Sequence, residues 1–171
     1  RMNKGLEAIG ISTGWSENQW LDLCLKLIQQ NGAGNLGIYL QISRGTYDTR
    51  AHRFPDKVNP TIFAFCFEIP PAPVADKSLA KTYTVSTARD IRWDRRDIKS
   101  TNLLAQVMAK QAANQTGAYE ALMVDANGLV TEAGSSSFFF IKDNALYVRP
   151  VSQEILHGIT RQTMLRVAKE R

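Results

Sequence analysis

A chain of 171 residues that is 44% hydrophobic and 22% charged has the make-up of an ordinary folded domain, which excludes a disordered, collagen-like or disulfide-scaffold protein. Its net charge of +5 is small enough to steer phosphates and carboxylates as well as nucleic acid. The basic residues are scattered, with Arg92, Arg95 and Arg96 the one tight group, so the continuous basic stripe of a nucleic-acid binder is missing and nucleic acid is not expected as a partner.

In chain order, Ser16 followed by Gln19 is a capping-box start. Trp20, Leu23, Cys24, Leu27 and Ile28 then share one helical face, and Asn31-Gly32 ends the helix. Gly37–Ser43 alternates as a half-buried strand. Thr61–Phe67 is almost continuously apolar and reads as a strand buried on both faces. Pro70-Pro71-Ala72-Pro73 can be neither helix nor central strand. Beyond it, Lys81–Ser86 reads as a strand and Thr101–Gln115 as a helix, with Leu103, Leu104, Val107, Met108 and Gln111 on one side and Gly117 ending it. Ala118–Val124 and Leu129–Thr131 form a hairpin about Asn127-Gly128; Ser137–Ile141 and Leu146–Val148 form another about Asp143-Asn144. Gly158 precedes a closing helix that reads as amphipathic to Arg171.

These elements predict an α+β (mixed α/β) fold with a small N-terminal lobe over 1–69, a linker at 70–77 and a strand-rich lobe over 78–171. Cys24 and Cys66 lie in apolar runs without a CxxC neighbour and read as buried, reduced thiols. No run is long and apolar enough to span a bilayer, and Arg1–Gly10 shows no signal-peptide pattern, so the cytoplasm is the expected compartment and no membrane partner is expected. The start at Arg1 and the stop inside a helix read as an internal piece of a longer protein.

Four segments carry residue types suited to chemistry. In Asp97-Ile98-Lys99-Ser100-Thr101, Lys99 precedes a helix start, beside apolar Ile98 and capping hydroxyls; partial desolvation there would favour its neutral, nucleophilic form. Val130-Thr131-Glu132-Ala133-Gly134 and the three serines after it place a carboxylate among hydroxyls, where it can pair with a protonated ring nitrogen. Ile155-Leu156-His157-Gly158-Ile159-Thr160-Arg161 offers helix N-terminal amides and a hydroxyl to an anion. If Arg50-Ala51-His52 is extended, Arg50 and His52 point the same way and can grip a carboxylate. Each segment also has an ordinary reading: a solvated lysine, a small polar turn, a plain helix start and a basic loop. No metal is called for.

Together, DIRWDRRDIKSTNLLAQVMAKQAA, VTEAGSSS and ILHGITRQT resemble, in order and spacing, the fold-type IV pyridoxal-phosphate enzymes. These include D-amino-acid aminotransferases, branched-chain aminotransferases and aminodeoxychorismate lyases. The stretch Arg44–Pro55 looks most like the D-amino-acid branch. The resemblance implies a two-lobed fold and pyridoxal 5′-phosphate as cofactor, with Lys99 as the Schiff-base lysine and proton shuttle. It implies that Glu132 partners the pyridine nitrogen, Leu156 packs on the ring face, and Ile159 and Thr160 hold the phosphate. Arg50 and His52 would bind the substrate α-carboxylate. The implied reaction moves an amino group from a D-amino acid to a 2-oxo acid in a homodimer. The alternatives are a branched-chain L-amino-acid aminotransferase, a related lyase or amine transaminase, and a catalytically inactive binding module. Ser137 stands where the resembling enzymes commonly have Asn. Their N-terminal phosphate-binding arginine and active-site tyrosine, and their further C-terminal phosphate hydroxyls, have no counterpart in this chain. The 171 residues alone are therefore expected to bind the cofactor poorly.

Overall fold

The structure, a computed structural model, describes residues 1–170; Arg171, where the sequence analysis ends its closing helix, lies outside them. The fold is α+β, and its contacts separate into two units, Leu6–Leu79 and Ala80–Arg171 with Arg1–Gly5. A short helix α1 (Met2–Ala8), which no pattern announced, crosses the first boundary.

In the Leu6–Leu79 unit, α2 (Glu17–Asn31) begins as expected: the Ser16 hydroxyl accepts from the Gln19 amide and the Gln19 side chain accepts from the Ser16 amide. Gly32 closes it at φ 86°. Strands β1 (Leu36–Ser43) and β2 (Thr61–Glu68) pair antiparallel in unbroken register from Leu36–Glu68 to Ser43–Thr61. One face packs on α2. The other is open, so β2 is not buried on both sides: Phe63, Phe65 and Phe67 stand exposed, with Tyr39 stacked on Phe65 at 5.1 Å. A continuous apolar run reports a strand's affinity for cover; it does not show that both faces are covered. Both cysteines are free, and each is half-buried instead of buried.

In the second unit, β3 (Val85–Arg89) runs parallel to β4 (Glu120–Val124), joined by a crossover through α3 (Leu104–Gln115). Strand β5 (Val130–Ala133) pairs antiparallel with β4, giving the order β3-β4-β5. The expected strand Lys81–Ser86 is displaced because pairing with β4 starts only at Val85–Glu120. Helix α3 starts three residues later than expected. The Ser100 hydroxyl accepts from the Asn102 amide, and the Leu103 amide bonds Thr101, so 100–103 is a turn and neither hydroxyl caps the helix. The larger apolar side of α3 faces out, with Leu104 70% exposed, and the sheet meets its alanine side, where Ala109 and Ala113 pack with Ala88, Ala118 and Ala121. Small side chains let the helix lie close on the sheet. Size on a helical face does not identify the buried face when alanines oppose it.

The hairpin β6 (Phe139–Lys142) and β7 (Ala145–Val148) turns at Asp143 and Asn144, at φ 49° and 57°. Helix α4 (Ile159–Glu170) follows Gly158 as expected. Among the described residues no helix is long and apolar enough to cross a membrane.

Candidate active site

The second unit gathers its buried charge at the end of β3. Where β3 ends, the Asp90 amide bonds the Val124 carbonyl of β4 at 2.8 Å, and the crossover then carries Asp90, Arg92 and Arg96. On the far side of β4, Leu122 opposes Ala133 and Val124 opposes Val130, so Thr131 and Glu132 together face Met123. This bulge lets two consecutive side chains, which a regular strand sends to opposite faces, reach one guanidinium. Arg92 Nη1 is bonded to Glu132 Oε1, and Arg92 Nη2 lies 3.4 Å from the Thr131 hydroxyl.

The other edge of Arg92 forks onto Asp90, with Nε donating at 2.9 Å and Nη2 at 2.7 Å. Thr131 donates its hydroxyl proton to Asp90 Oδ2 at 2.7 Å. The side chain of Asp90 is 0% exposed and that of Arg92 3%. Burial works against the Asp90 anion, but hydrogen bonds from Arg92 and Thr131 outweigh it and hold its carboxyl below the usual carboxylate range. Burial likewise opposes the Arg92 cation, and its bonds to Asp90 and Glu132 outweigh that and raise its pKa. The basic group Arg92, Arg95 and Arg96 is thus engaged internally: Arg95 pairs Asp97 at 2.9 Å, and Arg96 sits 3.6 Å from Asp90.

Glu132 is 7% exposed. The Leu156 amide donates to it, 3.3 Å from Oε1 and 3.2 Å from Oε2, so the structure brings two of the sequence-predicted residues together. Oε1 also receives Arg92, which leaves Oε2 with capacity for one more donor. The loop carrying Leu156 is tied to the crossover by the Arg96 amide on the Gln153 carbonyl at 2.9 Å, and Ile98 and Ile155 are buried beside these ties. Lys99 follows Ile98 on the same crossover. It is exposed and has no ion pair among the described residues, so the expected desolvation is not a property of this chain by itself.

At α4 the first intrahelical bond is Gln162 to Gly158, which leaves the Ile159 and Thr160 amides without a helical acceptor, and both residues are exposed. A Cβ on Gly158 would lie 3.0 Å from the Ser137 hydroxyl, so a side chain there would press on Ser137. Arg161 is buried and donates to the Arg149 carbonyl at 2.5 Å, fixing the helix start to the chain just past β7.

The serines of the Glu132 segment serve another carboxylate. Ser135 donates to buried Glu120 at 2.7 Å, and Lys110 donates to the same oxygen at 3.2 Å. Burial opposes the Glu120 anion, and the hydroxyl, amide and lysine contacts lower its pKa nonetheless. Asp90, Thr131, Glu120 and Arg161 were not singled out from the sequence. The Asp-x-Arg spacing of Asp90 and Arg92 was the one available signal.

Arg50 and His52 belong to the Leu6–Leu79 unit. Residues 44–60 form a bent loop, not an extended segment, so period-two alternation does not apply to them; both side chains are exposed. Arg44 in the same stretch is committed to the Gly10 and Ile9 carbonyls and to the Phe54 ring at 3.5 Å.

The family model for amino-transferase class IV matches residues 1–171. The chain belongs to that family. A D-alanine aminotransferase of Bacillus licheniformis is 37% identical over 170 residues, covering 99% of this chain and 58% of the relative. One from Staphylococcus haemolyticus is 37% identical, with 99% and 59% covered. The chain therefore spans somewhat more than half the length of these class IV relatives. Among solved structures, the holo, PLP-form of a branched-chain amino acid aminotransferase from Thermobaculum terrenum superposes with TM-score 0.79 at 18% identity, over 99% of this chain and 55% of that one. A putative 4-amino-4-deoxychorismate lyase of Legionella pneumophila gives 0.83 at 24%, over 99% and 61%. At these identities the superpositions speak for the fold.

Proposed function

We propose that this class IV aminotransferase chain serves pyridoxal-phosphate-dependent transamination from a D-amino acid of the D-alanine type to a 2-oxo acid. The observation that carries the reading is Glu132: a buried carboxylate held by Arg92 and the Leu156 amide, with one oxygen able to accept a further hydrogen bond. That donor set fits a cationic ring nitrogen, and the Ile159 and Thr160 amides with the Thr160 hydroxyl fit a phosphate. The D-amino-acid assignment is supported by relatives of that name at 33–37% identity. When bound, pyridoxal phosphate supplies an electron sink for the substrate's Cα electrons.

The chain's own residues then divide the work. Glu132 keeps the ring nitrogen protonated, and Arg92 keeps Glu132 oriented. Leu156 places its side chain against the ring while its amide holds Glu132. Lys99 would hold the cofactor through its amine, and that amine would be the group to carry the proton of the substrate's Cα. Arg50 and His52 bind the substrate carboxylate. A homodimer is the assembly that the resemblance implies for this activity, and the cytoplasm is the compartment expected from the sequence.

Borohydride reduction of the cofactor-loaded, full-length protein followed by peptide mapping tests the assignment. The pyridoxyl group is expected on Lys99, with turnover of D-alanine and not of L-leucine. A label on any other lysine overturns the role of Lys99, and activity confined to L-leucine overturns the D-specific reading.

A further inference from the structure

Arg92 is divided between two buried carboxylates, and the mechanism above uses only one of them. Asp90 takes the Nε–Nη2 edge and Glu132 takes Nη1. The Asp90 side chain is fully buried, and its partners are Arg92, the Thr131 hydroxyl at 2.7 Å and Arg96 at 3.6 Å. It touches nothing a ligand could reach. Without Asp90, Glu132 would share its cluster with the cations Arg92 and Arg96, and a net positive cluster is a poor partner for a protonated ring nitrogen. A second anion on the opposite edge of the guanidinium offsets that excess positive charge while holding the fork in place.

We infer that Asp90 is a positioning residue for Glu132: by engaging the far edge of Arg92 and pairing Arg96 it keeps the cluster around Glu132 from becoming net positive, so that Glu132 can retain the proton of a bound pyridine ring. This rests on the reading of Glu132 given above. The charged groups of the neighbouring elements fit it. From the crossover come Arg92, Asp90 and Arg96, while Asp97 is turned to Arg95. From the loop before α4, Glu154 is turned to Arg149 at 2.6 Å, and Leu156 offers only its amide. Across β4, Glu120 is occupied by Lys110 and Ser135.

The test uses full-length protein loaded with isotopically labelled pyridoxal phosphate, whose ring-nitrogen NMR resonance reports its protonation. In Asp90→Asn the ring nitrogen is expected to lose its proton about one pH unit lower than in the wild type, the size typical of removing a nearby opposite charge. kcat is expected to fall more than KM changes, and Asp90→Glu is expected to recover both readouts in part. Thr131→Val, which removes only the hydroxyl bond to Asp90, gives a smaller shift in the same direction and serves if Asp90→Asn does not fold. A ring-nitrogen titration that stays in place or moves upward in these variants overturns the inference. So does an equal downward shift in Lys110→Met, which disturbs the other buried cluster. Wild-type protein that takes up no labelled cofactor at Lys99 overturns the functional reading with it, so the two failures are distinguishable.

Discussion

At the scale of single residues, Arg92 joins the two buried carboxylates of the second unit, Asp90 and Glu132. Removing one member of a buried ion pair leaves a charge without compensation, at a cost of about 3–5 kcal/mol; Asp90→Asn, which keeps one acceptor for the guanidinium, belongs at the lower end. The pH dependence follows from the lowered pKa of Asp90. A carboxyl depressed on folding stabilises the protein above its unfolded value of about 3.9, and that contribution is lost as pH falls through the folded value. Wild type and Asp90→Asn should therefore differ most near neutrality, and the gap should narrow below about pH 4. Paired thermal or urea unfolding across this range measures it. A gap constant down to the acid limit would mean that Asp90 is not stabilised as an anion.

Among the elements, those with signals in adjacent residues matched the sequence analysis. Ser16 with Gln19 started α2, and Asp143-Asn144 turned the last hairpin. What escaped was set by pairing between distant segments. Where β3 begins depends on where β4 meets it, and the alanine face of α3 is buried because the sheet accepts small side chains there. The bulge at Thr131-Glu132 is an insertion relative to β4 that neither strand shows by itself. The loop after β1 is a case where one residue decides the path. Gly45 has φ +112°, and a Cβ there would come within 2.2 Å of the Asn59 carbonyl oxygen. That oxygen is backbone and cannot swing aside. Gly45→Ala should destabilise the protein by about 1–3 kcal/mol from backbone strain alone, with the contact adding to it. A urea midpoint unchanged by the substitution would show that residues 44–60 take another path.

Across the whole molecule, the Lys99, Glu132 and Gly158 segments could be proposed from the sequence because each keeps its chemistry-bearing residues within a few positions. Arg92, Asp90 and Thr131, which organise Glu132, were not, since their meaning lies in contacts spanning about forty residues. The division of the chain was read from the prolines at 70–73, and contacts in the structure part at Leu79–Ala80. Residues 69–85 are exposed without a break, and their side-chain hydrogen bonds are confined to Asp76 with Ser78. The other long loop, 44–60, is tied by Arg44 to Gly10 and by Tyr47 to Ala51. Proteases need a segment that can be drawn out as extended chain, so the untied run should yield first. We expect limited trypsin digestion of the native protein to cut at Lys77 or Lys81 before Arg50, Arg53 or Lys57, as mass spectrometry of the earliest fragments would show. First cuts within 44–60 would place the weakest backbone inside the Leu6–Leu79 unit and would remove the 70–77 stretch as the linker between lobes.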